Sequence, residues 1–306
     1  MKKMMCAVLA ALVLLAGCGS APSSLSVPEA PATESVMVLP PQSELPSLPA
    51  SMPPAETPSL AARAESDGPS QSNPSTFRLT IPEGYTLARI GLLLEEKGIC
   101  TMDEYMAVVQ TGDFSGYAML AQQNQSVNRC FQLEGYLFPD TYEFYTGVGP
   151  EEIVRRMLDN AQTRLGGELA NQIAASGYSL DQILTMASII EKEALGQESM
   201  TNISSVLHNR LNSGMQLQCD VTIKYVEGAI KPFITGDVNR FNSDYNTYKC
   251  PALPAGPICN PGMMAIQAAV APADTGYYYF LTDENGQYYW ATTFEEHTEN
   301  RRITGV

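Results

Sequence analysis

Leu184-Thr185-Met186-Ala187-Ser188-Ile189-Ile190-Glu191-Lys192-Glu193-Ala194 reads as an apolar helix that carries two carboxylates in its last turns. Ser179 and Gln182, three residues apart just ahead of it, form a capping-box start. At about 100° per residue, Glu193 falls between Met186 and Ile189, and Glu191 between Ala187 and Leu184. Both glutamates lie at the edges of the apolar arc, while Lys192 falls opposite it among Asp181, Thr185 and Ser188. A carboxyl group half-sunk in apolar surface is costly to ionise, so its pKa rises and it can hold a proton at neutral pH, as a general acid must. The plainer reading is that Glu191, Lys192 and Glu193 are the solvated end of a core helix. Periodicity alone does not choose between the two glutamates.

The totals narrow the chemistry. The chain has 306 residues and a formal net charge of −15, which argues against nucleic-acid and polybasic membrane contacts. A neutral or cationic substrate, or one held by hydrogen bonds, fits better. His208 and His297 are far apart, and no HExxH, Walker A or GxSxG pattern occurs. Metalloprotease, P-loop and serine-hydrolase chemistry are excluded on that ground, and neither a metal nor a cofactor is expected.

The beginning of the chain reads as a targeting segment. Lys2 and Lys3 form a positive region, and Met4 to Leu15 an apolar one too short for an ordinary membrane span. Leu15-Ala16-Gly17-Cys18 resembles the lipobox of bacterial lipoproteins. That resemblance implies a signal peptide over residues 1–17 and a lipidated Cys18, anchoring the protein to the cell membrane on its extracytoplasmic side. From Gly19 to Thr76 the chain holds 12 of its 21 prolines and no aromatic residue. Such a stretch cannot bury a core. As an extended spacer it reaches on the order of 100–180 Å at about 3.1 Å per residue. Export permits disulfides. Cys100, Cys130, Cys219, Cys250 and Cys259 are an odd five, so one is left over or pairs between chains. Cys250 with Cys259 and Cys100 with Cys130 are candidate pairs that would leave Cys219 free, and the sequence does not fix the connectivity.

Residues 77–146 read as a small α+β unit. Leu79-Thr80-Ile81 is a strand, Glu83-Gly84 a turn, Thr86 to Lys97 a helix closed by Gly98, and Thr101 with Glu104 caps the next helix. Its opening PEGYTL and strand-helix-helix order resemble LysM-like, glycan-gripping modules. Residues 147–306 read as mainly helical. One helix starts at Pro150 and ends before Gly166-Gly167, another covers Met200 to Leu211, and a third runs from Pro261-Gly262 through Ala271. Residues 216–261 are polar, aromatic and Pro-rich. Tyr277–Leu281 and Tyr288–Thr292 flank Asp283-Glu284-Asn285-Gly286-Gln287, a hairpin signal. The spaced acids of that turn lack the twelfth-position glutamate of a calcium loop.

Six motifs occur in one order: EGYLFPDTY (Glu134 to Tyr142), MASIIEKEA (Met186 to Ala194), SSVLHNRLNSGMQLQCDVTIKY (Ser204 to Tyr225), YNTY (Tyr245 to Tyr248), LPAGPICNPG (Leu253 to Gly262) and AAVAPADTGYYYFL (Ala268 to Leu281). Together they resemble the YceG-like family of endolytic murein transglycosylases over roughly residues 78–300. The resemblance implies an α+β fold: a LysM-like subdomain (77–146) before a lysozyme-like, mainly helical catalytic domain (147–306) with a β-hairpin. It makes Glu193 the catalytic residue and Glu191 a structural neighbour, with Arg210 a candidate partner for Glu191. It implies peptidoglycan glycan strands as substrate, penicillin-binding proteins or other cell-wall synthases as partners, and 1,6-anhydro-muramic ends as product.

The chain departs from the family in three places. It has a lipobox and spacer instead of a membrane helix, Cys219 stands where a small polar residue is usual, and the tail ends soon after His297, which points to a short last helix.

Around Glu193 the candidate substrate-binding residues are Asn209, Gln218, Asp220, Tyr245, Asn246, Thr247 and Tyr248, since amides and hydroxyls suit sugar hydroxyls and tyrosine faces suit sugar rings. Asn246 and Thr247 also suit a turn, and Asp220 a helix cap. Two rival readings stand: a muramidase using Asp220 as second carboxylate, and a non-catalytic peptidoglycan-binding lipoprotein.

Overall fold

The structure is a computed structural model that describes residues 75–123 and 128–306. The signal peptide, Cys18 and all but the last two residues of the spacer lie outside the described residues. Among the described residues no helix is long and apolar enough to cross a membrane.

Strand β1 (Thr76–Thr80) starts within the expected spacer and three residues before the expected strand. It pairs antiparallel with β2 (Thr141–Tyr145), Thr76 opposite Tyr145 and Thr80 opposite Thr141. Between them lie α1 (Leu87–Glu96) and α2 (Met102–Thr111). Thr86 caps α1 by accepting from the Arg89 amide, and Thr101 and Glu104 form a reciprocal capping box on α2.

Four helices follow: α3 (Pro150–Arg164), α4 (Gly167–Ala175), α5 (Leu180–Glu193) and α6 (Gln197–Asn212). The stretch read as polar and Pro-rich holds the short α7 (Asp220–Tyr225), a wider π-helical turn over Val226–Ile230 and α8 (Phe241–Tyr245). Then come α9 (Met263–Val270), the hairpin β3 (Tyr279–Thr282) with β4 (Tyr288–Ala291), and α10 (Phe294–Thr304). Helix α10 runs for 11 residues.

Helix α5 lies in the middle, packed chiefly on α9 and also on α4, α6 and α7. Ile183, Leu184, Met186, Ala187, Ile189 and Ile190 are all buried. Each large apolar side chain contributes about 1.5–3 kcal/mol when fully removed from water. On the opposite face Asp181, Thr185 and Ser188 are buried as well, while Lys192 stays exposed. Asp181 accepts from Arg129 Nη1 at 2.6 Å and from the Tyr136 hydroxyl at 2.9 Å. Thr185 donates to the Asp181 carbonyl, and Ser188 donates to the Thr185 carbonyl while accepting from the Ile258 amide. These polar groups tolerate burial because each has a partner.

A second buried knot ties PEGYTL, EGYLFPDTY and LPAGPICNPG to one another. The Asn260 side chain accepts from the Leu137 amide and donates to the Tyr85 carbonyl and to Glu134. Glu134 also accepts from the Leu87 amide at 2.9 Å and from the Tyr225 hydroxyl at 3.0 Å. Gly135 has φ +87, and a Cβ there would lie 2.5 Å from the Pro257 ring. Glycine is required on both counts. Through such contacts the strand-helix-helix-strand segment and the later helices share one continuous hydrophobic core.

None of the five described cysteines forms a disulfide. The candidate Cys250–Cys259 and Cys100–Cys130 pairs do not form. Cys250 donates instead to the Ser243 carbonyl, and Cys259 to the Ser188 carbonyl beneath α5.

Candidate active site

The last turn of α5 is where its burial ends. Ala194 leaves helical geometry at ψ 139°, and the hairpin closes the helix from outside. The Tyr288 hydroxyl donates to the Glu193 carbonyl at 2.8 Å and accepts from the Leu195 amide at 3.0 Å. A helix C-terminus leaves carbonyls without intrahelical partners, and here a side chain 95 residues away supplies one.

Glu193 stays partly exposed, yet burial of its carboxyl group pushes its pKa up to about 7. The Asp220 carboxylate adds to the rise, and the Lys224 ammonium opposes it. A carboxyl group that keeps its proton near neutrality and faces a second carboxylate is the electrostatic arrangement of a general acid. Glu191 differs. Its Oε2 accepts from the Gly262 amide at 3.0 Å, which counteracts the rise that burial causes. Its partner is Gly262 rather than Arg210.

Arg210 has another task. Its guanidinium donates to the carbonyls of Tyr278, Gln216 and Leu217 and to Gln218 Oε1, with the Tyr279 ring 5.0 Å away. It thus ties the chain entering α7 to the base of the hairpin. Gln218 lies in left-handed geometry at φ +54, sparsely populated for a residue with a side chain. Its amide, bonded to the Thr247 carbonyl, and its tie to Arg210 hold it there. Such strain is stored where a chain must be aimed. The residue two further on is Asp220, the first of α7.

Asp220 accepts from the Tyr248 hydroxyl at 2.6 Å, and burial first, then this bond, hold the tyrosine's own proton more tightly than usual. Of the YNTY run Tyr248 is the most open to solvent, at 38%, and Asn246 is half-buried. Tyr245 is 1% exposed and packs on Tyr225. Thr247 is buried and bonds the Cys219 amide and carbonyl and Thr222. The Asn246 side chain accepts from the Tyr248 amide in a local turn. Asn209 donates to the carbonyls of Thr275 and Tyr277. The structure therefore brings Glu193, Asp220 and Tyr248 together. Gln218 and Thr247 bond the chain that leads into α7, Tyr245 packs on Tyr225 in the core, and Asn209 fastens the approach to the hairpin.

Three residues were missed by sequence reasoning: Lys224, Tyr288 and Glu134. Lys224 follows Asp220 by four residues, a helical spacing visible only once α7 is known. Glu134 opens a quoted motif, and its burial was the missing fact. Among the described residues no group of three or more His, Cys, Asp or Glu is placed to hold a metal ion.

A family model described as YceG-like matches residues 51–303. An endolytic murein transglycosylase of Bacillus subtilis (strain 168) is 32% identical over 230 residues, covering 73% of this chain and 64% of that protein. A protein of the same name from Streptococcus pneumoniae serotype 2 (strain D39 / NCTC 7466) is 31% identical over 245 residues, covering 74% of this chain and 44% of its own. The matches thus span less than two thirds of these relatives' length. The crystal structure of a yceG-like protein from Listeria monocytogenes superposes with a TM-score of 0.64 at 32% identity, covering 73% of this chain and 75% of that one. With a family match from residue 51 to residue 303, the chain belongs to the YceG-like family.

Proposed function

We propose that this protein is a lytic transglycosylase that cuts within peptidoglycan strands, at the bond between N-acetylmuramic acid and N-acetylglucosamine. The observation that carries the reading is the Glu193 carboxyl group, pushed by burial to a pKa of about 7 at the end of a helix fixed on every side. Protonated Glu193 donates to the glycosidic oxygen as the bond to the muramic anomeric carbon breaks. The resulting carboxylate then takes the proton of the muramic 6-hydroxyl, whose oxygen attacks that anomeric carbon and closes a 1,6-anhydro ring. One residue acts as acid and then base. The attacking group belongs to the substrate, so no positioned water is needed. The relatives' name supports the substrate class.

The strand-helix-helix-strand unit we read as a LysM-like grip on the same glycan, and Cys18 as the lipid anchor that holds the enzyme on the extracytoplasmic face of the membrane. Work beside peptidoglycan synthases follows from that setting.

A second reading is favoured by one observation: Asp220 faces Glu193 closely enough to raise its pKa. Two carboxylates with a water between them make an inverting hydrolase. Mass spectrometry of murein digested by the protein separates the two. Transglycosylation yields 1,6-anhydro ends that disappear in Glu193→Gln. Reducing ends in their place favour the hydrolase, and no released fragments at all leave a binding protein.

A further inference from the structure

Beyond Glu193 the chain crosses a groove of about 390 Å³, within the size range of small-ligand sites. Its floor is the start of α6 and its wall is the hairpin. Tyr288 and Trp290 stack there with centroids 5.2 Å apart and planes 9° from parallel, and both line the groove. Opposite them are the side-chain amides of Gln197 and Asn202, neither of which makes a hydrogen bond among the described residues. At the rim Leu195 is 69% exposed, held against the hairpin turn where a Cβ on Gly286 would come within 3.2 Å of it.

These groups match one chemical class. Aromatic rings accept the C–H face of a pyranose, amides pair with an acetamido group or ring hydroxyls, and an exposed leucine suits the acetyl methyl. The charged residue lining the groove is Glu198. It disfavours a sugar bearing a lactyl carboxylate and leaves a neutral one acceptable. The groove is also fixed to the cleavage point, because the tyrosine in its wall is bonded to the Glu193 carbonyl.

We propose that this groove is a binding subsite for a neutral N-acetylhexosamine unit, the N-acetylglucosamine of the strand cut at Glu193. The assignment rests on the function proposed above, and its test is independent of turnover. The strand then runs from the cleft between α5 and α7 out along the hairpin. The hairpin becomes a specificity element as well as a cap on α5.

Trp290 is the chain's one tryptophan, so its fluorescence reports the groove directly. The full chain carrying Glu193→Gln is titrated with chitotetraose, the β-1,4-linked tetramer of N-acetylglucosamine. A saturable change in emission is expected, with cellotetraose, which lacks the acetamides, binding far more weakly. Gln197→Ala with Asn202→Ala, an exposed and a half-buried side chain that make no hydrogen bond among the described residues, weakens the chitotetraose titration about tenfold, the worth of two net hydrogen bonds. An unchanged emission, or an affinity indifferent to the paired substitution, overturns the subsite even where the wild type releases anhydro fragments. A saturable, amide-dependent titration in a protein that releases none keeps the subsite and removes the transglycosylase.

Discussion

The Tyr288 hydroxyl bridges the Glu193 carbonyl and the Leu195 amide, at 2.8 and 3.0 Å, so a strand residue sets where the proposed acid stands. Helix α5 brings Glu193 to the surface, but its final turn has no partner of its own for that carbonyl. Tyr288→Phe keeps the ring and its stack on Trp290 while leaving both backbone groups without it. We expect a loss of about 1–2 kcal/mol in unfolding free energy and a fall in kcat of about tenfold with KM little changed. Urea titration and steady-state release of fragments from purified strands check both. An unaltered kcat would remove Tyr288 from any positioning role.

The charges around Glu193 predict opposite shifts in the pH profile. The acid must be protonated, so turnover declines as pH rises through about 7. Asp220 raises the Glu193 pKa, so Asp220→Asn moves that decline to lower pH. Lys224 lowers it, so Lys224→Met moves the decline to higher pH. Profiles of kcat/KM for the three proteins decide the matter. If Asp220→Asn abolishes turnover at every pH, Asp220 is a second catalytic carboxylate and the hydrolase reading gains.

Local signals carried the element ends and little of what lies between distant segments. The pairs Thr101 with Glu104 and Ser179 with Gln182 form the capping boxes expected of them, because capping depends on residues three apart. The hairpin forms around Asp283–Gln287 for the same reason. Asp181, Thr185 and Ser188 went the other way. A helical wheel assigns them to solvent, and it cannot register that Arg129, 52 residues earlier, neutralises Asp181 inside the core. Arg210 is likewise committed to carbonyls of segments before α7 and before β3, which no spacing on α6 discloses. The YNTY run is split by the non-local bonds of Thr247: Tyr245 and Thr247 are buried, Asn246 is half-buried, and Tyr248 is exposed and bonded to Asp220.

Glu193 should cost the protein stability in alkaline solution. Its pKa is about 7 in the folded state against an ordinary 4.5, so between those values the folded chain holds a proton that the unfolded chain has released. Stability therefore falls as pH rises through this window, by up to about 1.4 kcal/mol per pH unit. Glu193→Gln removes that dependence. The variant is expected to match the wild type near pH 5 and to exceed it by about 2 kcal/mol near pH 8, partial exposure moderating the difference. Inactivity combined with greater stability is the mark of a strained functional group. Equal urea midpoints at both pH values would place the carboxyl group in water.

Glu134 carries the same arithmetic in a fully buried place. Burial raises its pKa to about 7, against the opposing pull of the Leu87 amide, the Tyr225 hydroxyl, Arg129 and Lys192. Because Tyr225 closes α7, this carboxyl group also steadies the helix that presents Asp220 and Lys224 to Glu193. Glu134→Ala leaves the Leu87, Tyr225 and Asn260 donors unpaired around a cavity, and a loss of at least about 3 kcal/mol is expected. Glu134→Gln keeps an oxygen for Leu87 and Asn260, while the Tyr225 hydroxyl turns to accept from the new amide. It also removes the charge that folding must desolvate. Near pH 5 the glutamine protein matches the wild type, and near pH 8 it is the more stable by about 2–3 kcal/mol. Glu193→Gln has the same window, so the double variant should sum the two gains if the sites titrate independently. Urea midpoints at four pH values for the wild type, both single variants and the double variant measure this. A glutamine protein whose stability still falls with pH as steeply as the wild type's would show that Glu134 is already ionised in the knot and that its donors outweigh its burial.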